Sequence, residues 1–168
     1  MRPRCRWIPV AVGAMALTAC RTPTLPEYRV ELSIHEDTVF ASRTSTSLEI
    51  SFHVLLRNQD SRPLYYDGNG CGHALQRRED AGWRGVWTPA CAPATYSTYL
   101  GPGQSRLFTF DVRAPLTSTG WPVDGAEGDY RMVLWLTAVP RNSGGLALQP
   151  LGPSSRTTPV FQIRETGT

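Results

Sequence analysis

At 168 residues, with 40% hydrophobic and 18% charged side chains, the chain has the size and composition of one packed domain, and it shows neither internal repeats nor a second domain. All 17 basic residues are arginine; Arg2, Arg4 and Arg6 account for three of them, which leaves 14 against 14 acidic residues. The remainder is nearly neutral and lacks the basic footprint of phosphate neutralisation, so no nucleic-acid partner is expected.

The chain opens on those three arginines and runs into an apolar stretch from Trp7 to Ala16. Charge followed by a short apolar run is the layout of a secretory signal helix. The run falls well short of the ~20 residues that a spanning helix needs. It closes on Leu17-Thr18-Ala19-Cys20, which resembles the lipobox of bacterial lipoprotein precursors. That resemblance implies a signal peptide over 1–19, diacylation of Cys20 and a membrane anchor that is effectively permanent. In that family an aspartate after the cysteine marks inner-membrane retention; Arg21 stands here, which implies the periplasmic face of the outer membrane in a Gram-negative cell. The competing layout is an ordinary secretory signal ending at Ala14-Met15-Ala16. Residues 20–27 then form the lipidated cysteine and a short Pro- and Thr-containing spacer, and residues 28–168 form the domain.

With Cys5 in the signal and Cys20 acylated, Cys71 and Cys91 remain as a pair in an oxidising compartment, and a disulfide is expected. A metal site would need further close ligands, and only His73 is near; no metal or cofactor is expected.

From Tyr28 onward the pattern has period two. Tyr28, Val30, Leu32 and Ile34 share one face, and Leu48, Ile50, Phe52, Val54 and Leu56 repeat the arrangement. Further strands are predicted at 63–66, 74–78, 83–87, 106–112, 130–139 and 159–163, separated by polar and glycine-rich turns. The segment 130–139 is apolar on both faces and is predicted to be one central strand, while 115–127 and 142–158 read as surface loops. About eight short strands point to an all-β fold, a single β-sandwich of immunoglobulin type.

The two strands joined by Glu79-Asp80-Ala81-Gly82 form a predicted hairpin in which Arg78 faces Trp83. Its register puts position 90 opposite Cys71, so the bridge to Cys91 closes the hairpin mouth after a small irregularity. Six aromatics crowd the same region: Tyr65, Tyr66, Trp83, Trp87, Tyr96 and Tyr99. One reading makes the turn 67–70 and the loop 93–99 a partner-binding face, with Asp67 and Asn69 on it and Tyr96 and Tyr99 as exposed anchors. The other packs Trp83 and Trp87 inward and gives the bridge only the task of compensating a thin sheet edge.

Catalytic signatures are not found. Asp67-Gly68-Asn69-Gly70 begins like a calcium loop but places Cys71 at the third ligand position. His35 and His53 are predicted on solvent faces, and neither a G-x-S-x-G elbow nor an H-E-x-x-H helix accompanies them. The chain is not expected to be an enzyme.

Asn58 with its polar turn, Pro63-Leu64-Tyr65-Tyr66, Gly82-Trp83, Leu100-Gly101-Pro102-Gly103-Gln104-Ser105 and Gly128-Asp129-Tyr130-Arg131 follow one another in the order of a known domain. The arrangement resembles the immunoglobulin-like domain of small bacterial lipoproteins and, more loosely, the BsuPI-type proteinase inhibitor domain. Gly128-Asp129-Tyr130 also resembles a tyrosine corner. These likenesses imply a non-catalytic, lipid-anchored envelope protein with a binding or structural module, whose partner is an envelope protein or polysaccharide. The alternatives are a proteinase inhibitor and a carbohydrate-binding module.

Overall fold

The computed structural model describes residues 27–67, 71–91, 96–115, 125–140 and 149–166. The expected signal peptide, Cys20, the spacer up to residue 26 and Asn69 lie outside the described residues. In chain order the strands are β1 (Val30–Ile34), β2 (Val39–Arg43), β3 (Ser47–Asn58), β4 (Leu64–Asp67), β5 (His73–Glu79), β6 (Gly82–Trp87), β7 (Ser97–Leu100), β8 (Ser105–Pro115), β9 (Gly128–Leu134), β10 (Leu136–Thr137) and β11 (Phe161–Glu165). A 3-10 turn, Pro153–Ser155, precedes β11.

β3 is the spine. Its alternate residues Leu48, Ile50, Phe52, Val54 and Leu56 are all buried, each burial being worth roughly 1.5–3 kcal/mol. β8 pairs with β3 along nearly its full length on one side, while β1 and β2 share the other side end to end. β2 passes the ladder to β11 in parallel, and β11, β9, β5 and β6 continue it antiparallel. Strands far apart along that ladder nevertheless touch: Phe110 of β8 meets His73 of β5 with ring centroids 4.4 Å apart, and Phe52 of β3 meets Phe161 of β11 at 5.2 Å. The ladder therefore curls until its two wings face each other over a common core. A separate three-stranded sheet, β10-β4-β7, packs beside it through Tyr66 and Phe108 at 5.1 Å.

The motifs that carried the resemblance are fold determinants. Asn58 is 0% exposed, and its side chain donates to the carbonyls of Arg62 (2.9 Å) and Leu100 (3.1 Å) and accepts from the N–H of Asp60 (3.0 Å). One amide thus fastens the turn after β3 to the turn before β8. Next to it, the Arg62 guanidinium holds the Asp60 carboxyl well below the usual carboxylate range and lies 4.0 Å from the Tyr28 ring. Tyr130 is fully buried and donates its hydroxyl to the carbonyl of Ala126 at 2.6 Å. A buried tyrosine bonded a few residues upstream is the corner that marks immunoglobulin-like sandwiches, so the predicted all-β, immunoglobulin-like fold is the one observed. Burial pushes its hydroxyl pKa up to about 12.

Several expectations are corrected. β2 and β7 are not anticipated by the sequence pattern. The predicted strand 130–139 is two strands in two sheets: the Trp135 N–H leaves the ladder for the carbonyl of Gly72, and the chain crosses over there. Within the predicted loop 142–158, the described part is packed rather than superficial, with Leu151, Ser155 and Thr158 buried. His53 stands part-exposed on the outer face of β3, as expected, and is paired there with Glu36.

Candidate partner-binding face

The hairpin of β5 and β6 keeps its predicted register from Glu79–Gly82 to Gln76–Gly85 and then slips by one residue, so that Leu75 faces Trp87. Continued outward, the slipped register brings position 91 opposite Cys71. A β-bulge is thus the irregularity that the bridge requires. Cys71 and Cys91 are joined with their Cα atoms 5.8 Å apart. Trp87, beyond the bulge, turns inward against His73, with centroids 5.4 Å apart, while Trp83 stays half-buried under the Arg131 guanidinium at 4.4 Å.

The three-stranded sheet presents the neighbouring face. Tyr65 lies opposite Tyr99 and Asp67 opposite Ser97 on one side of β4; Leu136 and Thr137 lie opposite Tyr66 and Tyr65 on the other. Because strand side chains alternate, Leu64, Tyr66, Leu100 and Leu136 face the core, and Tyr65, Asp67, Ser97 and Tyr99 face outward. Tyr99 and Tyr96 are each 54% exposed. The Tyr65 and Tyr99 rings meet edge to face, 5.9 Å apart with planes inclined at 69°. Asp67 and Tyr99 are therefore strand residues, not members of the turn and loop predicted to hold them.

The sequence reading missed Trp135. One further step of the β10–β4 register sets it opposite Asp67, and it is 44% exposed. Gly72 lies against both: a Cβ there would sit 2.7 Å from the Trp135 Cβ and 2.9 Å from the Asp67 Cβ. Only glycine lets that backbone pass. Its carbonyl accepts the Trp135 N–H at 2.5 Å, and its chain neighbour is the bridged Cys71. Gly101 has a comparable task, since a Cβ there would stand 3.0 Å from the Tyr99 hydroxyl oxygen. The signal for Trp135 lay in the two-faced apolar run itself, which needs a second sheet to cover its other side.

Beneath this face His73 is packed against Trp87 and Phe110, and burial lowers its pKa to about 4. A cavity of about 20 Å³ beside it is bordered by Asp67, Gly72 and Trp135.

An open groove of about 590 Å³ is lined by Glu36, Phe40, Glu49, Ser51, Asp111 and Arg113, among others. Its polar groups pair with one another: Arg113 with Glu49 at 2.5 Å, Ser51 donating to Asp111 at 2.8 Å, and His53 Nδ1 with Glu36 at 2.5 Å. Burial raises the Glu36 carboxyl, but the backbone N–H and ring of His53 outweigh it, for a net lowering. Among the described residues no hydrogen bond joins Ser51 to His53, so these groups do not form a nucleophile and base in contact.

Scanned against protein-family models the chain matches none, and a search of curated proteins finds no match. Among solved structures, the CARDB domain of a Pyrococcus furiosus protein in complex with di-metal ions is 13% identical, with a TM-score of 0.35 over 85% of this chain and 92% of that one. Alkylpurine DNA glycosylase AlkC of Pseudomonas fluorescens, bound to DNA with an abasic-site analogue, is 14% identical with a TM-score of 0.35, over 82% of this chain and 31% of that one. A mutant Listeria innocua β-glucosidase in complex with laminaribiose is 13% identical with a TM-score of 0.37, over 83% of this chain and 16% of that one. At these scores none of the three bears on what this chain binds or does.

Proposed function

We propose that the chain is a non-catalytic, lipid-anchored protein of the cell envelope that holds a partner on the outer face of its three-stranded sheet. The observation that supports this reading is the pair of exposed rings, Tyr99 on β7 and Trp135 just before β10, with the half-buried Tyr65 opposite Tyr99, beside a disulfide. Rings fixed on strands lose little freedom when covered, and aromatics anchor interfaces more than other side chains do. The anchor rests on the lipobox at Cys20, and the periplasmic face of the outer membrane on Arg21. A protein partner is favoured over a polysaccharide because the Tyr65 and Tyr99 planes meet at 69°, whereas sugar rings stack on a flat platform. An inhibitor of proteinases would present a convex loop, and Tyr99 instead sits on a strand.

Two experiments test the reading. Cys20→Ala is expected to leave an unprocessed precursor that takes up no labelled fatty acid; continued acylation with cleavage before residue 20 would overturn the anchor. Affinity capture of the intact lipoprotein from its own membranes is expected to yield a partner that the double variant Tyr96→Ser/Tyr99→Ser loses, with an unchanged thermal midpoint. A large fall in stability would show that these rings serve folding, and the face would be given up.

A further inference from the structure

We infer that the end of the sandwich where β1 begins lies against the bilayer, with its arginines on the phosphate groups of anionic lipids; the inference rests on the lipid anchor proposed above for Cys20. From Cys20 to Glu27 the chain takes seven steps, at most about 25 Å when fully extended. β3 alone, at 12 residues, runs roughly 40 Å from the turn at 44–46 to Asn58. The tether therefore keeps near the membrane the end from which it leaves. That exit is firmly fastened. The hydroxyl of Ser155 accepts the Tyr28 N–H at 3.2 Å and donates to the Tyr28 carbonyl at 2.8 Å, Arg62 donates to the Glu27 carbonyl at 2.7 Å, and Asp60 accepts the Arg29 N–H at 3.2 Å. The chain thus leaves the domain at a fixed point.

Charge is distributed unevenly along the same axis. At this end, residues 27–31, the end of β3 with its turn (57–62), the start of β8 (105–106) and the 3-10 turn with Arg156 (153–156) hold five arginines and three carboxylates. The other described residues hold seven arginines and ten carboxylates. The register brings this end together: Val30 pairs with Asn58 and Arg57 with Ser105, while Arg156 follows the Ser155 that bonds Tyr28. Two of its arginines are already matched, Arg62 with Asp60 at 3.0 Å and Arg57 with Glu31 at 4.0 Å. Among the described residues no ion pair engages Arg29, Arg106 or Arg156, and Arg29 and Arg106 are exposed. A domain positive at one end and negative over the rest turns its positive end to an anionic surface, and the attraction acts within a Debye length of ~10 Å at 0.1 M salt. Phosphate is the group that the guanidinium fork fits, with two parallel hydrogen bonds. An acidic protein would match the same charge, but the tether sets lipid, and no particular protein, within reach of every anchored copy.

The test measures hydrogen exchange of the intact lipoprotein in nanodiscs of phosphatidylcholine alone and of phosphatidylcholine with phosphatidylglycerol. Amides in 57–62 and 101–106 are expected to exchange about fivefold more slowly in the anionic discs, the factor that one arginine near such a surface supplies, while the hairpin turn at 79–82 is unchanged. Salt at about 1 M, where the Debye length is ~3 Å, should remove the difference. Arg29→Gln/Arg106→Gln is expected to lose the protection with an unchanged thermal midpoint, and Arg84→Gln/Arg164→Gln, remote from this end, to keep it; the salt dependence of the unaltered chain decides the matter if the first variant does not fold. Equal exchange in the two kinds of disc, protection of the 79–82 turn instead, or protection that survives Arg29→Gln/Arg106→Gln or high salt would overturn the inference. A chain that does not stay with the discs would overturn the anchor at Cys20 and the inference with it, whereas a chain that stays with them and exchanges equally in both overturns the inference alone.

Discussion

Replacing Asn58 by alanine removes one amide and strands three groups. The carbonyl of Leu100 and the N–H of Asp60 lose partners in bonds that are buried, and the carbonyl of Arg62 loses one that is only partly so. A buried polar group left unsatisfied costs about 1–3 kcal/mol, and the Arg62 carbonyl recovers part of its loss through water, so the expected destabilisation is about 3–4 kcal/mol. Set against a total of roughly 5–15 kcal/mol for a domain, this is a large fraction, equivalent to a fall of about 10 °C in the thermal midpoint. The backbone bonds of Asn58 to Gln104 and Gly103, at 2.9 and 2.8 Å, survive the substitution, which keeps the variant foldable. Urea titration followed by tryptophan fluorescence, with the disulfide intact, measures the change. Asn58→Asp supplies the control: it keeps the acceptor for Asp60 but turns a carboxylate oxygen toward two carbonyls, which with burial favours the protonated acid, so its deficit should shrink as pH falls toward about 4 and the acid becomes a donor. A loss under about 1 kcal/mol in Asn58→Ala would refute the role given to this amide.

Tyr130→Phe removes the donor to the Ala126 carbonyl and should cost about 1–3 kcal/mol in the same titration. Because the folded pKa of Tyr130 is raised to about 12 from an ordinary value near 10, its contribution is full below pH ~10 and is lost as pH rises toward 12; the phenylalanine variant should lack that alkaline decline. His73 has a folded pKa lowered to about 4, so the folded state takes up its proton later than the unfolded chain, and stability should fall as pH drops from ~6.5 to 4. His73→Phe should flatten that part of the profile, and an unchanged slope would exclude His73 as its source. Reduction of the bridge, which spans a sequence separation of 20, should lower stability by about 3 kcal/mol in the chain-entropy model. A change below about 1 kcal/mol under reducing urea titration would show that the bridge adds little to what the hairpin already holds.

β3 was legible because five large apolar residues alternate without interruption. β2 was not, since its inward residues are only Val39 and Ala41, and an alanine adds little periodicity. β7 was hidden by Ser97 and Thr98, which read as turn residues until a partner strand is supplied. The break at Trp135 could not be seen because both faces of the run are apolar and only the tertiary arrangement decides which sheet takes each half. The bridge was legible from cysteine arithmetic and hairpin register together; the bulge that completes the register was not, because nothing in Gly85-Val86-Trp87 marks the residue to be added. At the proposed face, Tyr96 and Tyr99 stood out as aromatics beside a turn, whereas the alignment of Asp67 with Trp135 depends on two strands more than sixty positions apart in sequence.

That bulge joins stability to the face. Between the pairs Gln76–Gly85 and Leu75–Trp87, β6 holds one residue more than β5, and this residue, Val86, is buried. Beyond it the side chains of β6 exchange faces, so Trp87 packs on His73 and Cys91 comes opposite Cys71. The bridged Cys71 leads directly into Gly72, whose carbonyl takes the Trp135 N–H where the chain leaves β9 for β10. A single inserted residue thus fixes the crossing that sets Trp135 beside Asp67. Asn58 and Tyr130 act elsewhere, on the turns that close the sandwich. Substitutions there should lower stability while leaving the outer rings in place, whereas Tyr99→Ser should empty the face at little cost to folding, because a ring that is 54% exposed has given up only part of its contact with water.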